Sequence, residues 1–400
     1  MSDMINPQRR ALLGTLGALA VPALALPACA QRTPASSATL SAGEIAAAVD
    51  AAYRPLLQAH AIDGMVVGIV EGGRSHFFSY GVASRASPAP ATPDTLFELG
   101  SLSKTFTATL ACHAQASGRL ALTDTPGKHL PALRGSPIDQ ATLLHFGTYT
   151  AAGLPLQFPD AVQTDAAAIA WLRSFQPTVA PGTVRQYSNP SIGLMGHAAA
   201  AALGKPYATL CDEELFPALG LQRTFVQVPA RFMAGYAWGV NHAGQPVRVN
   251  PGAFAAEAYG VKSTARDMLR FVQAQMQPGA LPAPLRSALA QTQVPRYDVG
   301  AMVQGLGWEQ YPWPSSDERM LDGNSSAMAL QPQSVSPLIA PPWDAHATVF
   351  NKTGSTNGFG AYAAFIPGRH TGLVMLANRN FPNTARVSAA HAVLTALAPG

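Results

Sequence analysis

Apolar runs that are typical of paired strands lie near both ends of this 400-residue chain, and this placement limits the folds open to it. Residues 65–70 and 76–82 flank Glu71-Gly72-Gly73, and residues 359–366 and 372–377 flank Pro367-Gly368-Arg369. Short apolar runs separated by turn residues predict hairpins, here two pairs of buried strands. A single antiparallel sheet built from both ends of the chain is the simplest fold that joins them.

The predicted helices complete an α+β fold. Ser41-Ala42-Gly43-Glu44 has the form of a capping box, and apolar residues at helical spacing follow it to about residue 60. A last helix is predicted over residues 384–398, and the Ala- and Leu-rich middle of the chain is also helical in pattern. We therefore predict a mixed α/β domain and an inserted, mainly helical domain, with a ligand site in the cleft between them. Their predicted bounds are residues 41–100 with 259–400, and residues 101–258.

The first 30 residues have the features of an export signal. Arg9 and Arg10 precede an apolar stretch over residues 11–28, and Ala28-Cys29-Ala30 supplies small residues at a cleavage point. The paired arginines also fit a twin-arginine signal. Cys29 offers an alternative as the acylated residue of a lipoprotein. We expect a signal peptide cleaved near Ala30, a linker over residues 31–40, a periplasmic location and no stable membrane span.

Composition argues against several classes of function. The net charge is +4, and no cluster of Lys and Arg occurs beyond Arg9-Arg10, so a nucleic-acid-binding protein is not expected. No two of the ten histidines lie within fifteen positions of each other, and three cysteines cannot form a disulfide framework. We therefore expect neither a metal nor another cofactor. Nothing in the sequence requires more than a monomer.

Ser101-Leu102-Ser103-Lys104 is the first of three motifs that carry chemistry. On a helix, positions i and i+3 share a face, so the Ser101 hydroxyl is expected beside the Lys104 amine. An amine of lowered pKa can accept the hydroxyl proton and so make the serine a nucleophile. The motif is short enough to occur by chance, and Ser103 is a second candidate nucleophile.

Tyr187-Ser188-Asn189 and Lys352-Thr353-Gly354-Ser355 follow in that order. A phenol near cations becomes a usable base, and the Asn189 amide both donates and accepts hydrogen bonds. A loop tyrosine and a helix-capping asparagine would explain the same residues. On an edge strand, Lys352 would project its charge into the cleft, while Gly354 would leave room for substrate beside the backbone.

The order S-x-x-K, Y-x-N, K-T-G resembles the penicillin-recognising serine enzymes. Longer segments narrow the resemblance to the class C β-lactamases, the AmpC-type cephalosporinases, which implies their β-lactamase/transpeptidase-like α+β fold. The similar segments are residues 97–107, 148–150, 153–157, 256–263, 304–309, 352–367 and 376–383. The resemblance covers the chain from about Ser41 to its end.

This resemblance implies a role for each residue at a matching position. Ser101 would be acylated, and Lys104 and Tyr187 would share the base role. Lys352 would support the Tyr187 phenolate and help to orient the substrate carboxylate. The backbone amides of Ser101 and Ser355 would form the oxyanion hole. The residues expected at the substrate are Gln157 and Asn189 on its acylamino side chain, Tyr259 as a wall of that pocket, and Thr353, Ser355, Asn383 and Arg386 in the carboxylate region.

The predicted function is hydrolysis of the β-lactam amide of cephalosporins and penicillins through an acyl-enzyme on Ser101, which confers antibiotic resistance. A D-alanyl-D-alanine carboxypeptidase and a serine carboxylesterase are alternatives, because all three reactions transfer an acyl group to serine. A further alternative is a catalytically inactive binding module on the same fold. It is disfavoured because Ser101, Lys104, Tyr187, Asn189 and Lys352 are all present.

Overall fold

The largest sheet draws its strands from the two ends of the described chain. The computed structural model describes residues 40–86, 88–339 and 342–399, so the predicted signal peptide, the Cys29 alternative and the linker up to residue 39 lie outside the described residues. The strands within those ranges are β1 (Gly64–Glu71), β2 (Arg74–Gly81), β3 (Phe97–Glu98), β4 (Val184–Arg185), β5 (Gly239–Val240), β6 (Pro246–Val247), β7 (Lys262–Ser263), β8 (Tyr297–Asp298), β9 (Val303–Gln304), β10 (Glu309–Pro312), β11 (Gln333–Ser334), β12 (Ser336–Pro337), β13 (Thr348–Ser355), β14 (Gly360–Ile366) and β15 (Thr371–Ala377).

Nine of the described strands form one antiparallel sheet in the order β12-β8-β9-β10-β13-β14-β15-β1-β2. The first two strands of the chain extend this sheet beside β15, so the sheet joins residues 64–81 to residues 297–377. The predicted α+β fold, with one antiparallel sheet built from both ends, is confirmed. The proposed bounds of two separate domains stay a prediction.

Helices cover the sheet and fill the middle of the chain. Those in the described residues are α1 (Ala42–Ala59), α2 (Ser103–Ala116), α3 (Pro126–His129), α4 (Leu143–Gly147), α5 (Asp165–Ser174), α6 (Asn189–Leu203), α7 (Tyr207–Thr209), α8 (Phe216–Ala218), α9 (Ala255–Ala258), α10 (Ala265–Met276), α11 (Ala283–Thr292), α12 (Asp317–Gly323), α13 (Ser326–Leu330) and α14 (Asn383–Leu397). The predicted capping box is present, because the Ser41 hydroxyl accepts from the Glu44 amide and the Glu44 carboxylate accepts from the Ser41 amide. None of the helices in the described ranges is both long and apolar enough to cross a bilayer.

Strand β1 is buried along its whole length because helices cover both faces of the sheet. Side chains alternate between the faces of a strand. Met65, Val67 and Ile69 therefore pack in the cluster that contains α1 and α14, while Val66 and Val70 pack in the cluster that contains α10. Each such side chain stabilises the fold by about 1.5–3 kcal/mol through removal of its apolar surface from water.

Two of the strand predictions are wrong in detail. The second strand of the first hairpin was expected to be buried, but β2 is an outer strand of the sheet, and Tyr80 is its only buried residue. Lys352 was expected on an edge strand, but β13 lies between β10 and β14. The pairing with β10 ends at Asn351, so no described strand pairs with that side of β13 from Lys352 to Ser355. This unpaired side is where the candidate site lies.

Candidate active site

Ser101 lies in a short 3₁₀ turn, Gly100–Leu102, that leads directly into α2. Lys104 follows one helical turn later, and its Nζ donates a hydrogen bond to the Ser101 Oγ at 3.0 Å. Ser103, the second candidate, is completely buried, and its hydroxyl accepts a hydrogen bond from the Val261 amide. Of the two serines, only Ser101 lines the cleft.

The Lys104 amine has no exposure to solvent. Burial lowers its pKa to about 8, because little water is present to stabilise the ammonium ion. The same nitrogen donates a second hydrogen bond to the backbone carbonyl of Ala258 at 2.7 Å. This places an amine that exchanges its proton near neutral pH directly on the serine hydroxyl.

The ring of Tyr187 is surrounded by three positive side chains. The Nζ atoms of Lys104 and Lys352 each lie 5.1 Å from the ring centroid, and the Arg185 Cζ lies 5.5 Å from it. Burial alone would raise the pKa of Tyr187, but the charges of Lys104 and Lys352 outweigh it and lower the pKa to about 8. The phenol oxygen is buried and accepts no hydrogen bond from the described protein atoms, which suits a base that waits for a substrate proton.

Glu309 completes this charge arrangement and was not singled out from the sequence. Its Oε1 lies 3.3 Å from the Lys352 Nζ and 3.8 Å from a guanidinium nitrogen of Arg185. Burial opposes the charge on Lys352, but the Glu309 carboxylate raises the pKa of Lys352 above its usual value. Glu309 lies in the segment 304–309 that resembles the class C enzymes, and this was the only signal that could have identified it. For Arg185, the only indication in the sequence of a place in the site was its position two residues before Tyr187.

Gly354 lets strand β13 touch the nucleophile turn. A Cβ at this position would lie 2.0 Å from the Leu99 carbonyl oxygen and 2.8 Å from the Leu102 amide nitrogen. On the turn itself, a Cβ at Gly100 would lie 2.4 Å from the Ser355 amide nitrogen. The expectation that Gly354 leaves room for substrate is therefore wrong, because the free space is taken by the backbone of the turn. The contact places the Ser355 backbone against the turn that contains Ser101.

A cleft of about 190 Å³ opens at this contact. Seven residues named from the sequence line it, together with Arg185 and Glu309: Ser101, Tyr187, Lys352, Thr353, Gly354, Ser355 and Asn383. Among the described residues, no group of three or more His, Cys, Asp or Glu side chains has a geometry that could hold a metal ion.

The other predicted substrate residues do not line this cleft. Asn189 is buried at the start of α6, with an Oδ1 atom that accepts no hydrogen bond from the described protein. Gln157 is exposed, and Tyr259 is half-buried directly after Ala258. Arg386 is fully buried behind β13 and donates to the Gly354 carbonyl at 2.7 Å and to the Ser355 Oγ at 2.9 Å. Its hydrogen bonds support the strand, and Arg386 itself does not line the cleft.

A serine hydroxyl on a buried amine, beside a phenol of lowered pKa in an α+β fold, defines a serine acyl-transfer enzyme. Comparison with known proteins narrows this class. The family model described as Beta-lactamase matches residues 49–398, and the chain belongs to that family. A curated β-lactamase from Pseudomonas fluorescens is 48% identical over 356 residues, which cover 89% of this chain and 99% of that protein.

Solved structures agree with this relationship. A β-lactamase/D-alanine carboxypeptidase from Pseudomonas syringae is 45% identical with a TM-score of 0.86, over 89% of this chain and 100% of that chain. A class C β-lactamase from Rhodobacter sphaeroides is 46% identical with a TM-score of 0.84, over 87% of this chain and 99% of that chain. The resemblance to class C β-lactamases that was stated from the sequence is confirmed.

Proposed function

We propose that the protein is a serine β-lactamase of class C that hydrolyses cephalosporins and penicillins through an acyl-enzyme on Ser101 and so confers resistance to them. The observation that carries the proposal is the hydrogen bond of 3.0 Å between the Lys104 Nζ and the Ser101 Oγ, next to a tyrosine whose pKa is lowered to about 8. The family relationship supports the substrate class.

In the acylation step, the Ser101 Oγ attacks the lactam carbonyl carbon while its proton passes to the Lys104–Tyr187 pair. The backbone amides of Ser101 and Ser355 stabilise the negative oxygen that forms. Collapse of this intermediate breaks the carbon–nitrogen bond of the ring, and the pair returns a proton to the ring nitrogen. The product is an ester between Ser101 and the opened substrate.

In the deacylation step, water attacks the ester carbonyl and gives its proton to the Tyr187 phenolate. The carbon–oxygen bond to Ser101 breaks, and the serine takes back a proton as the opened acid leaves. Lys104 and Lys352 favour the phenolate form through their positive charges. No additional carboxylate base is required in this scheme.

Residues at the end of β13 and at the start of α14 are suited to the substrate carboxylate. Lys352, Thr353, Ser355 and Asn383 line the cleft and supply one ammonium group and several hydrogen-bond donors. Arg386 does not line the cleft, but it holds the end of β13 in place through hydrogen bonds to the Gly354 carbonyl and the Ser355 hydroxyl. Gln157, Asn189 and Tyr259 would contact the acylamino side chain of a bound substrate.

The test is turnover of a chromogenic cephalosporin with intact-mass detection of the acyl-enzyme. We expect many turnovers by the natural sequence and no measurable rate for Ser101→Ala. Ser103→Ala is the matched control, because its hydroxyl only supports the Val261 amide, and this variant should still be acylated on Ser101. Turnover that persists in Ser101→Ala would contradict the proposal.

A D-alanyl-D-alanine carboxypeptidase is the second candidate, because the similar protein from Pseudomonas syringae is described as both a β-lactamase and a D-alanine carboxypeptidase. The same assay distinguishes the two. A peptidase would give a long-lived adduct with the cephalosporin and would release D-alanine from a peptide ending in D-alanyl-D-alanine. Rapid cleavage of short p-nitrophenyl esters without lactam turnover would instead indicate a carboxylesterase.

We also propose that the enzyme acts in the periplasm after removal of a signal peptide near Ala30. The paired Arg9 and Arg10, the apolar residues 11–28 and the small residues around Cys29 support this location. The intact mass of protein from a periplasmic extract tests it. A mass that corresponds to a chain beginning at Gln31 is expected, and a lipid-bearing chain beginning at Cys29 would contradict it.

A further inference from the structure

His197 and Glu257 form a pair behind the active-site amine, and the proposed reaction assigns neither of them a role. The His197 Nδ1 lies 3.7 Å from the Glu257 Oε1. The His197 ring also stacks on Phe254, with ring centroids 4.9 Å apart. His197 therefore contacts the segment that contains α9 at two points, at the residue before the helix and at its third residue.

Helix α9 supplies the carbonyl that holds the catalytic amine. Ala258, its last residue, accepts the hydrogen bond of 2.7 Å from the Lys104 Nζ. A helix of four residues cannot maintain itself through its own hydrogen bonds. Its position depends on side chains that reach it from outside: Thr107 donates to the Glu257 carbonyl at 2.5 Å, Asp165 accepts from the Phe254 amide at 2.9 Å, and His197 faces the Glu257 carboxylate.

The Glu257 carboxylate has few partners for a buried charge. Its residue is only 3% exposed, and burial raises its pKa. In the described part of the chain, His197 is the only basic side chain within 4.0 Å of the carboxylate. Asp165, Lys205 and Lys262 are the other charged residues that line the cavity of about 480 Å³ on this side of α9. The nearby Glu257 carboxylate in turn raises the pKa of His197.

The pair also connects the two proton-transfer groups. Helix α6 begins at Asn189, two residues after Tyr187, and carries His197 about two turns further on. Glu257 lies on α9, next to the residue that holds Lys104. A movement of α6 relative to α9 would change the distance between the phenol and the amine, and the His197–Glu257 contact resists such a movement.

From this geometry, and resting on the proposed function, we propose that His197 and Glu257 are positioning residues that keep the Ala258 carbonyl on the Lys104 amine and thereby keep the amine on Ser101. They touch no substrate atom. Their loss should slow acylation without weakening the initial binding of substrate, because the cleft residues on β13 remain in place.

The experiment measures single-turnover acylation of the whole enzyme by a chromogenic cephalosporin over a range of concentrations. We expect Glu257→Gln to lower the acylation rate constant roughly tenfold, because a misplaced reacting group is costly, while the Kd of the substrate stays within about twofold of the natural value. His197→Phe retains the ring stack on Phe254 but has no nitrogen, and it should show the same loss. The double variant should be no slower than the slower single variant, because both changes break one contact.

The matched control is His391→Gln, which breaks another pair of a histidine and a carboxylate, between α14 and Asp317 on α12. It should lower the thermal midpoint and leave acylation unchanged. An acylation rate constant for Glu257→Gln or His197→Phe equal to that of the natural enzyme would overturn the inference, as would a loss that adds in the double variant. If the natural enzyme itself fails to hydrolyse the cephalosporin, it is the proposed function that fails.

Discussion

Tyr187 and Lys104 share a buried site in which the charges of Lys352 and Glu309 each change the pKa of both groups. Lys352 lowers the pKa of both, and Glu309 raises the pKa of both. The pair must lose a proton before it can accept one from Ser101. Because each pKa is about 8, we expect kcat/KM to rise with pH and to level off above about pH 8.

Replacement of Lys352 tests this arrangement at a single residue. Lys352→Gln removes a positive charge, so the pKa of both Lys104 and Tyr187 should rise. The acid limb, which is the part of the pH profile where kcat/KM rises with pH, should therefore move to higher pH. We expect a displacement of roughly one pH unit, together with a weaker affinity for the substrate carboxylate. The pH dependence of kcat/KM for a cephalosporin measures the displacement. An acid limb that stays in place or moves to lower pH would contradict the assignment.

Glu309→Gln is the complementary change and should have the opposite sign. Loss of the carboxylate removes a charge that stabilises the ammonium of Lys104 and disfavours the Tyr187 phenolate. The pKa of both groups should therefore fall, and the acid limb should move to lower pH. The variant should also unfold more easily, because Lys352 and Arg185 lose their buried partner. Displacement of the acid limb in the same direction for Lys352→Gln and Glu309→Gln would contradict these assigned effects of the two charges on the pKa of Lys104 and Tyr187.

At the scale of elements, the proposed mechanism depends on the contact between strand β13 and the turn before α2 that contains Ser101. In the proposed mechanism neither element forms the oxyanion site alone, because one amide would come from Ser101 and the other from Ser355. The glycine at position 354 permits the contact by having no side chain toward Leu99. Arg386 of α14 then fixes the strand from behind through the Gly354 carbonyl.

Gly354→Ala should separate these two elements. The added Cβ would lie 2.0 Å from the Leu99 carbonyl oxygen, so the strand must move and the Ser355 amide must move with it. We expect kcat to fall roughly 100-fold, as for loss of an oxyanion donor, and the thermal midpoint to fall as well. Gly279→Ala is the control, because nothing lies within 4 Å of its added Cβ. A kcat for Gly354→Ala that matches the control would contradict this role.

At the scale of the whole molecule, the sheet is covered on both faces, and the cores on its two sides leave their polar groups little access to water. Cys211 is a free thiol buried in the core on the α10 side of the sheet, and Cys112 on α2 is a free thiol buried in a third core among the helices of the middle of the chain. Burial raises the pKa of Cys112 to about 12 and raises the pKa of Cys211 even more strongly above its usual range. The thiolate, which is the reactive form, is therefore scarce in the folded protein.

Thiol reactivity should report global unfolding. In a Cys29→Ser variant, we expect a thiol reagent to modify neither cysteine in the native protein and to modify both in denaturant. The midpoint of modification should coincide with the midpoint followed by tryptophan fluorescence, and a reducing agent should leave the thermal midpoint unchanged. Rapid modification of one thiol under native conditions would reveal a local opening and contradict this expectation.

Particular residues show why part of this site could be predicted from sequence. Ser101 and Lys104 lie three positions apart on one helix, so local geometry alone brings them together. The Ser41 capping box and the strands of β1, β14 and β15 are local in the same sense. Glu309 and Arg185 are 124 positions apart and meet only through the fold. Periodicity contains no information about such a contact.

The sequence by itself determined the class of fold and the family, and it predicted the nucleophile and the order of its partners, because these depend on side-chain spacing within short segments and on motifs that resemble a known family. Only the tertiary structure decided that β13 is an inner strand with one side open, that Gly354 faces the nucleophile turn and that Arg386 lies behind the strand. It also decided that His197 meets Glu257 behind the amine. Each of these depends on how close two distant parts of the backbone come, and that distance is set by packing of the whole core.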